Sequence, residues 1–150
     1  MSLSQVFTRD NPVFAAYAFY ASVLVLKMLA MSVLTARQRI KNKVFANPED
    51  AVGLKGKVKF DHPDVERVRR AHLNDLENIP TFLLVAILYV LTNPTPLIAI
   101  NLFRAFTVAR VVHTLVYAVV VVPQPARGLA WGIGYAITIY IAVQNVLFFL

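Results

Sequence analysis

A charged run leads straight into an apolar one. The stretch Val65-Glu66-Arg67-Val68-Arg69-Arg70-Ala71-His72-Leu73-Asn74-Asp75-Leu76-Glu77-Asn78-Ile79 is followed, over residues 80–91, by a segment without a single charge. That apolar segment is about a dozen residues, or roughly 18 Å as helix, against a hydrocarbon core of roughly 30 Å. A spanning helix must therefore extend backwards and take the charged stretch in with it. A charge at the bilayer centre costs roughly 2.5–3.5 kcal/mol even on insertion scales. These side chains must face protein or water, and they must pair.

Three further apolar stretches, at about residues 12–34, 97–122 and 129–150, are each long enough to span once their polar flanks are included. With 58% apolar residues and a mean hydropathy of +0.61, an ordinary soluble domain is excluded. The expected fold is all-α: a single integral membrane domain over residues 1–150, a four-helix bundle of up-down topology. Its helices are expected at about 12–40, 64–92, 97–122 and 126–149, with a polar loop at about 41–63.

All eight acidic residues lie at or before Glu77, and ten of the fifteen Lys and Arg fall between Arg37 and Arg70. In so apolar a chain a net charge of +7 points to the positive-inside rule and an anionic leaflet, not to nucleic acid. The run Arg37-Gln38-Arg39-Ile40-Lys41-Asn42-Lys43 then marks a cytosolic exit, placing the N-terminus on the lumenal side. The opening MSLSQVFTRDNP lacks the basic region and cleavage site of a signal peptide, so helix one is expected to be retained. There is no cysteine; any sulfur nucleophile must arrive as a substrate.

Turn chemistry supports these boundaries. Asn11-Pro12 opens helix one, Asn47-Pro48-Glu49-Asp50 suits a short helix in the loop, and Asp61-His62-Pro63-Asp64 caps helix two. Pro80 is expected to kink helix two by freeing the Leu76 carbonyl. Asn93-Pro94-Thr95-Pro96 makes an uncharged lumenal turn, and Pro123-Gln124-Pro125 ends helix three.

Arg67, Arg70, Asn74 and Glu77 follow at spacings of three, four and three, one stripe of helix two, with Arg69 and His72 beside it. Helix three carries Phe106, Arg110, His113 and Tyr117 in a second stripe. These stripes line one water-accessible pocket, or they form a salt-bridge network that only holds the bundle together. Lys27 and Asp75 lie at similar depths on antiparallel helices and read as a structural ion pair. Arg127 starts helix four, where guanidinium and helix N-terminus both favour an anion. A thiol there would be driven towards thiolate; the alternative is an interfacial, snorkelling arginine. No HExxH, Cys/His cluster, Walker loop or GxGxxG is present, so metal and nucleotide chemistry lack support. Many arginines with one Glu, Asn, His and Tyr suit a small polyanion bearing an amine. Glutathione has two carboxylates, an ammonium and the missing thiol, although an amino acid or a phosphate ligand satisfies the same argument.

Phe45-Ala46-Asn47-Pro48-Glu49-Asp50, the 65–78 run, Arg110 with His113-Thr114 and Tyr117, and Pro123-Gln124-Pro125-Ala126-Arg127 together resemble the signature of the membrane-associated eicosanoid and glutathione metabolism family. The resemblance spans nearly the whole chain and is closest to an insect-like form of the family's type 1 microsomal glutathione transferase branch. It implies a homotrimer, with glutathione as co-substrate bound between subunits near the cytosolic side. It assigns glutathione contacts to Arg39, Arg69, Arg70, His72, Asn74, Glu77, His113, Tyr117 and Arg127, and thiolate stabilisation to Arg127. It implies transfer of glutathione to lipophilic electrophiles that approach from the lipid, with reduction of lipid hydroperoxides as a second activity. The endoplasmic reticulum membrane is the implied location, with the mitochondrial outer membrane as a second one. The family's prostaglandin E synthase branch shares most of these motifs, but carries Arg at the position of Leu73 and Ser at that of Gly128.

Overall fold

The computed structural model describes residues 3–150, with side chains from residue 5 onward. A short helix, α1 (Leu3–Val6), precedes the long α2 (Pro12–Asn42). A loop folds as strand β1 (Val44–Phe45), helix α3 (Pro48–Gly53) and strand β2 (Lys57–Val58), the two strands pairing in parallel. Then come α4 (Pro63–Leu91), α5 (Pro96–Thr114) and α6 (Ala126–Phe149).

Local chemistry sets these ends. The Asn11 side-chain oxygen accepts from the Val13 and Phe14 amides at 3.0 and 3.3 Å, capping α2. α2, α4 and α5 each begin on a proline, whose missing N–H would have no partner there anyway. Lys43 closes α2 in the left-handed region at φ 51°, returning its amide to the last turn. In the loop a Cβ on Gly56 would stand 2.5 Å from the Phe45 ring and 2.6 Å from the Lys43 carbonyl, so only glycine lets the two strands close.

Among the described residues, four helices are long and apolar enough to cross a membrane, the shortest of 24 residues, ~36 Å against a core of roughly 30 Å. Their outward faces carry exposed Leu26, Leu29, Val33, Leu84, Leu97 and Leu147, a surface suited to lipid. The molecule is an all-α, four-helix membrane bundle. α4 packs on α2 and α6, and α5 packs on the same two. α4 and α5 therefore face each other across the bundle axis, where Phe82 stacks on Phe106 with centroids 3.6 Å apart.

Two apolar clusters fill the interior. The larger includes Leu24, Ile79, Phe82, Phe103, Phe106 and Ile141; the smaller holds Met31, Val68, Ala71 and Ala118. Between them lies one charged layer. Asp75 is fully buried and receives Lys27 from α2 and Arg110 from α5, the latter through Nη2 at 2.6 Å and Nε at 3.2 Å. The ion pair expected between Lys27 and Asp75 is thus part of a three-charge layer that ties α2, α4 and α5 at one depth.

Helix three departs from its expected span. The α-helix stops at Thr114, passes into a π-helical turn, Leu115–Val119, and Val120 is extended at φ −118°. Four consecutive valines, 119–122, have little helix propensity, and the residue before Pro123 is pushed out of the α region. The Val120 and Val122 amides instead reach the Leu115 and Val116 carbonyls at 2.8 and 3.0 Å. α4 continues as helix through Pro80 to Leu91.

Candidate functional site

The helix α4 divides its polar residues between two clefts. Consecutive helical residues point about 100° apart, so Arg69 and Arg70 cannot serve the same side. Arg70, Asn74 and Glu77 turn towards α6 and line a cleft of about 340 Å³ together with His113, Tyr117 and Arg127. Arg69 and His72 turn towards α2 and line a second cleft of about 410 Å³ with Arg39. Leu73, touching both, is the ridge between them.

Six of the nine expected contact residues therefore meet in one place, while Arg39, Arg69 and His72 meet in another. Arg67 joins neither cleft: it lies one turn before Arg70, and its Nη1 donates to Asp64 at 2.9 Å. Phe106, the first member of the helix-three stripe, is core and packs on Phe82.

Charge pairing distinguishes the first cleft. Arg69 is engaged by Glu66 at 2.8 Å. Among the described residues, Arg70, Glu77 and Arg127 form no ion pair. Two guanidinium groups and one carboxylate thus stand open in a cleft whose floor is neutral and aromatic. Arg127 lies over the Tyr117 ring at 4.4 Å from its centroid, and Tyr117 meets His113 edge-on at 5.5 Å. The Tyr117 ring restricts where the guanidinium can go.

Arg127 is the second residue of α6, and the Gly128 amide behind it is met by the Gln124 side-chain oxygen at 3.1 Å. The amides of residues 126 and 127 have no intrahelical carbonyl to reach, so helix end and guanidinium present positive potential together. A Cβ on Gly128 would sit 3.2 Å from that Gln124 oxygen, so a larger residue would disturb the cap.

Behind the cleft, Arg110 acts as an anchor. Its Nη2 donates to Asn74 Oδ1 at 2.8 Å and lies 3.4 Å from His113 Nδ1. The Arg110 stem crosses beside Gly134, where a Cβ would be only 3.6 Å from Arg110 Cδ. The buried charged layer is therefore continuous with the polar wall of the cleft. Sequence spacing placed Arg110 in the same stripe as His113 but gave no sign that it is fully enclosed. Trp131 also lines the cleft and stacks on Tyr135 at 4.7 Å. Its place four residues after Arg127, on the same helix face, was the signal available for it.

A family model for the MAPEG family matches residues 17–147. The chain belongs to the MAPEG family. It is 51% identical over 140 residues, 90% of each chain, to microsomal glutathione S-transferase 1 of Mus musculus. With the Homo sapiens protein of the same name it shares 48% identity over 149 residues, covering 96% of this chain and 94% of the relative. Prostaglandin E synthase of Mus musculus is 42% identical over 109 residues, 72% of this chain and 71% of that relative. For this MAPEG chain, both clefts fall inside the matched residues.

Proposed function

We propose that this MAPEG protein is a membrane-bound glutathione transferase. The observation that carries the reading is the trio of open charges, Arg70, Glu77 and Arg127, around a cleft that also presents Asn74, His113 and Tyr117. Arg70 takes a carboxylate of the tripeptide and Glu77 its ammonium, while the thiol lies at the start of α6. There Arg127 and the helix end stabilise sulfur as thiolate. The thiolate then attacks an electrophilic carbon, a C–S bond forms, and the leaving group departs with the bonding pair. With a lipid hydroperoxide, two glutathione molecules yield the alcohol, water and glutathione disulfide. Gly128 supplies no hydroxyl beside Arg127, and the transferase reading needs none.

The second cleft enters through assembly. Arg39, Arg69 and His72 lie across the Leu73 ridge from the cleft that holds Arg127. In a homotrimer with closed cyclic symmetry, the second cleft of one subunit lies against the first cleft of its neighbour. The nine residues then surround one ligand. The site opens at the end of the bundle that carries the basic loop, the cytosolic side of the endoplasmic reticulum membrane and of the mitochondrial outer membrane.

The test is steady-state turnover of a hydrophobic aryl halide by the protein in liposomes. Arg127→Ala should lower kcat by on the order of 100-fold, the usual loss for one preorganised stabiliser of developing charge, with a much smaller change in KM for glutathione. Equal turnover in the variant would sink the assignment.

A further inference from the structure

On the side of α6 away from the cleft, α5 and α6 leave a groove of about 700 Å³ open to the lipid. Its depth comes from four alanines, Ala105 and Ala109 on α5 and Ala126 and Ala130 on α6, each pair one turn apart. Its walls are exposed Val108, Val112, Leu129 and Ile133. One end alone is polar, where Asn101 and Arg104 stand.

Arg104 is out of place by charge. It lies eight residues after Pro96, ~12 Å along the helix and inside the hydrocarbon. Its Nε donates to the Tyr20 hydroxyl at 3.1 Å and its Nη1 to Asn101 Oδ1 at 3.2 Å, both neutral acceptors. No carboxylate among the described residues pairs with it, and no Asp or Glu follows Glu77 in the chain. A guanidinium facing lipid without a counter-ion is costly. Nη2 makes no hydrogen bond to the described residues, and Arg104 lines the groove.

We propose that this groove binds a long-chain fatty acid, with its carboxylate on Arg104 and its chain running towards Ala126. Lengths agree: Asn101 Oδ1 holds the guanidinium at its own level, and from there residues 101–112 of α5 cover ~17 Å, close to the roughly 15 Å of hydrocarbon in one leaflet. Charge complementarity selects the head, because a carboxylate supplies the anion that the second half of the chain lacks. Depth selects a fatty acid over a phospholipid, whose phosphate would draw a glycerol and a second chain into the hydrocarbon with it. The site is separate from the glutathione cleft and stands whether or not that assignment holds.

The experiment uses the full chain in zwitterionic liposomes with a fatty acid carrying a photoreactive diazirine at its methyl end. After illumination, peptide mass spectrometry should find the label on the groove's far end, around Val112 and Leu129. Oleate should remove it, whereas oleyl alcohol and phosphatidic acid should not. Arg104→Gln should reduce labelling by about tenfold or more, the loss expected for one charge-assisted hydrogen bond, and Arg104→Lys should retain most of it. Label spread over the outer faces of all four helices overturns the proposal, as does equal competition by the alcohol or by phosphatidic acid. Unchanged labelling in Arg104→Gln does so too. The competition arms need no variant, so a misfolded substitution would not protect the idea.

Discussion

Replacing Asp75 with asparagine removes the only anion from a layer that contains two cations. Side-chain exposure is 0% for Asp75, 11% for Lys27 and 1% for Arg110, so neither cation has water to fall back on. Breaking a buried ion pair by deleting one partner typically costs about 3–5 kcal/mol. Here the deletion strands two charges and weakens the contacts from Arg110 Nε and Nη2, so the upper part of that range applies. With a chain of this size losing roughly 2–4 °C per kcal/mol, thermal unfolding in detergent should fall by about 10 °C or more. Lys27→Met should behave differently. It leaves Asp75 and Arg110 as a neutral pair, and its cost should stay below about 2 kcal/mol. The double variant Lys27→Met with Asp75→Asn leaves one stranded cation and should lie between the two. If Asp75→Asn were as stable as the parent, or Lys27→Met as damaging as Asp75→Asn, the charged layer would not be what holds the three helices at one depth.

Arg70→Gln and Glu77→Gln should each weaken glutathione binding by about tenfold in calorimetric titration, since each removes one charged contact; unchanged affinity in both would remove the carboxylate and ammonium assignments. Because the two clefts belong to different faces of α4, mixed assemblies give a further test. Arg39→Ala and Arg127→Ala subunits, each inactive alone, should recover about a quarter of parental activity when randomly co-assembled, if every site joins two subunits. No recovery would place each site within one chain.

Much of this arrangement is legible in the residue order, for reasons that can be named. Matching depth from the helix ends brings Lys27 to Asp75, and the Asn11, Pro63 and Pro96 signals locate helix starts, because both depend on local geometry. Arg127 at a helix N-terminus likewise needs only Pro125 before it and an apolar run after it. What spacing cannot supply is which neighbour a face meets. Arg69 and Arg70 stand together in the sequence yet belong to separate clefts, since one step round the helix outweighs their adjacency. Arg110 lies in line with His113, but whether it lines a pocket or underlies it depends on α4 facing α5 across the bundle. The π-helical turn after Thr114 was hidden for a different reason. The valines at 119–122 read equally well as apolar span, and only the backbone hydrogen bonds reveal that the helix has already ended.

The most direct test of the central claim is the ultraviolet thiolate absorbance that develops when detergent-solubilised protein is mixed rapidly with glutathione at neutral pH. A thiolate signal in the parent protein that Arg127→Ala abolishes, with glutathione still bound and the oligomer intact, is the predicted result. A signal of equal size in the variant, or none in a parent protein that binds glutathione, would contradict thiolate stabilisation by Arg127.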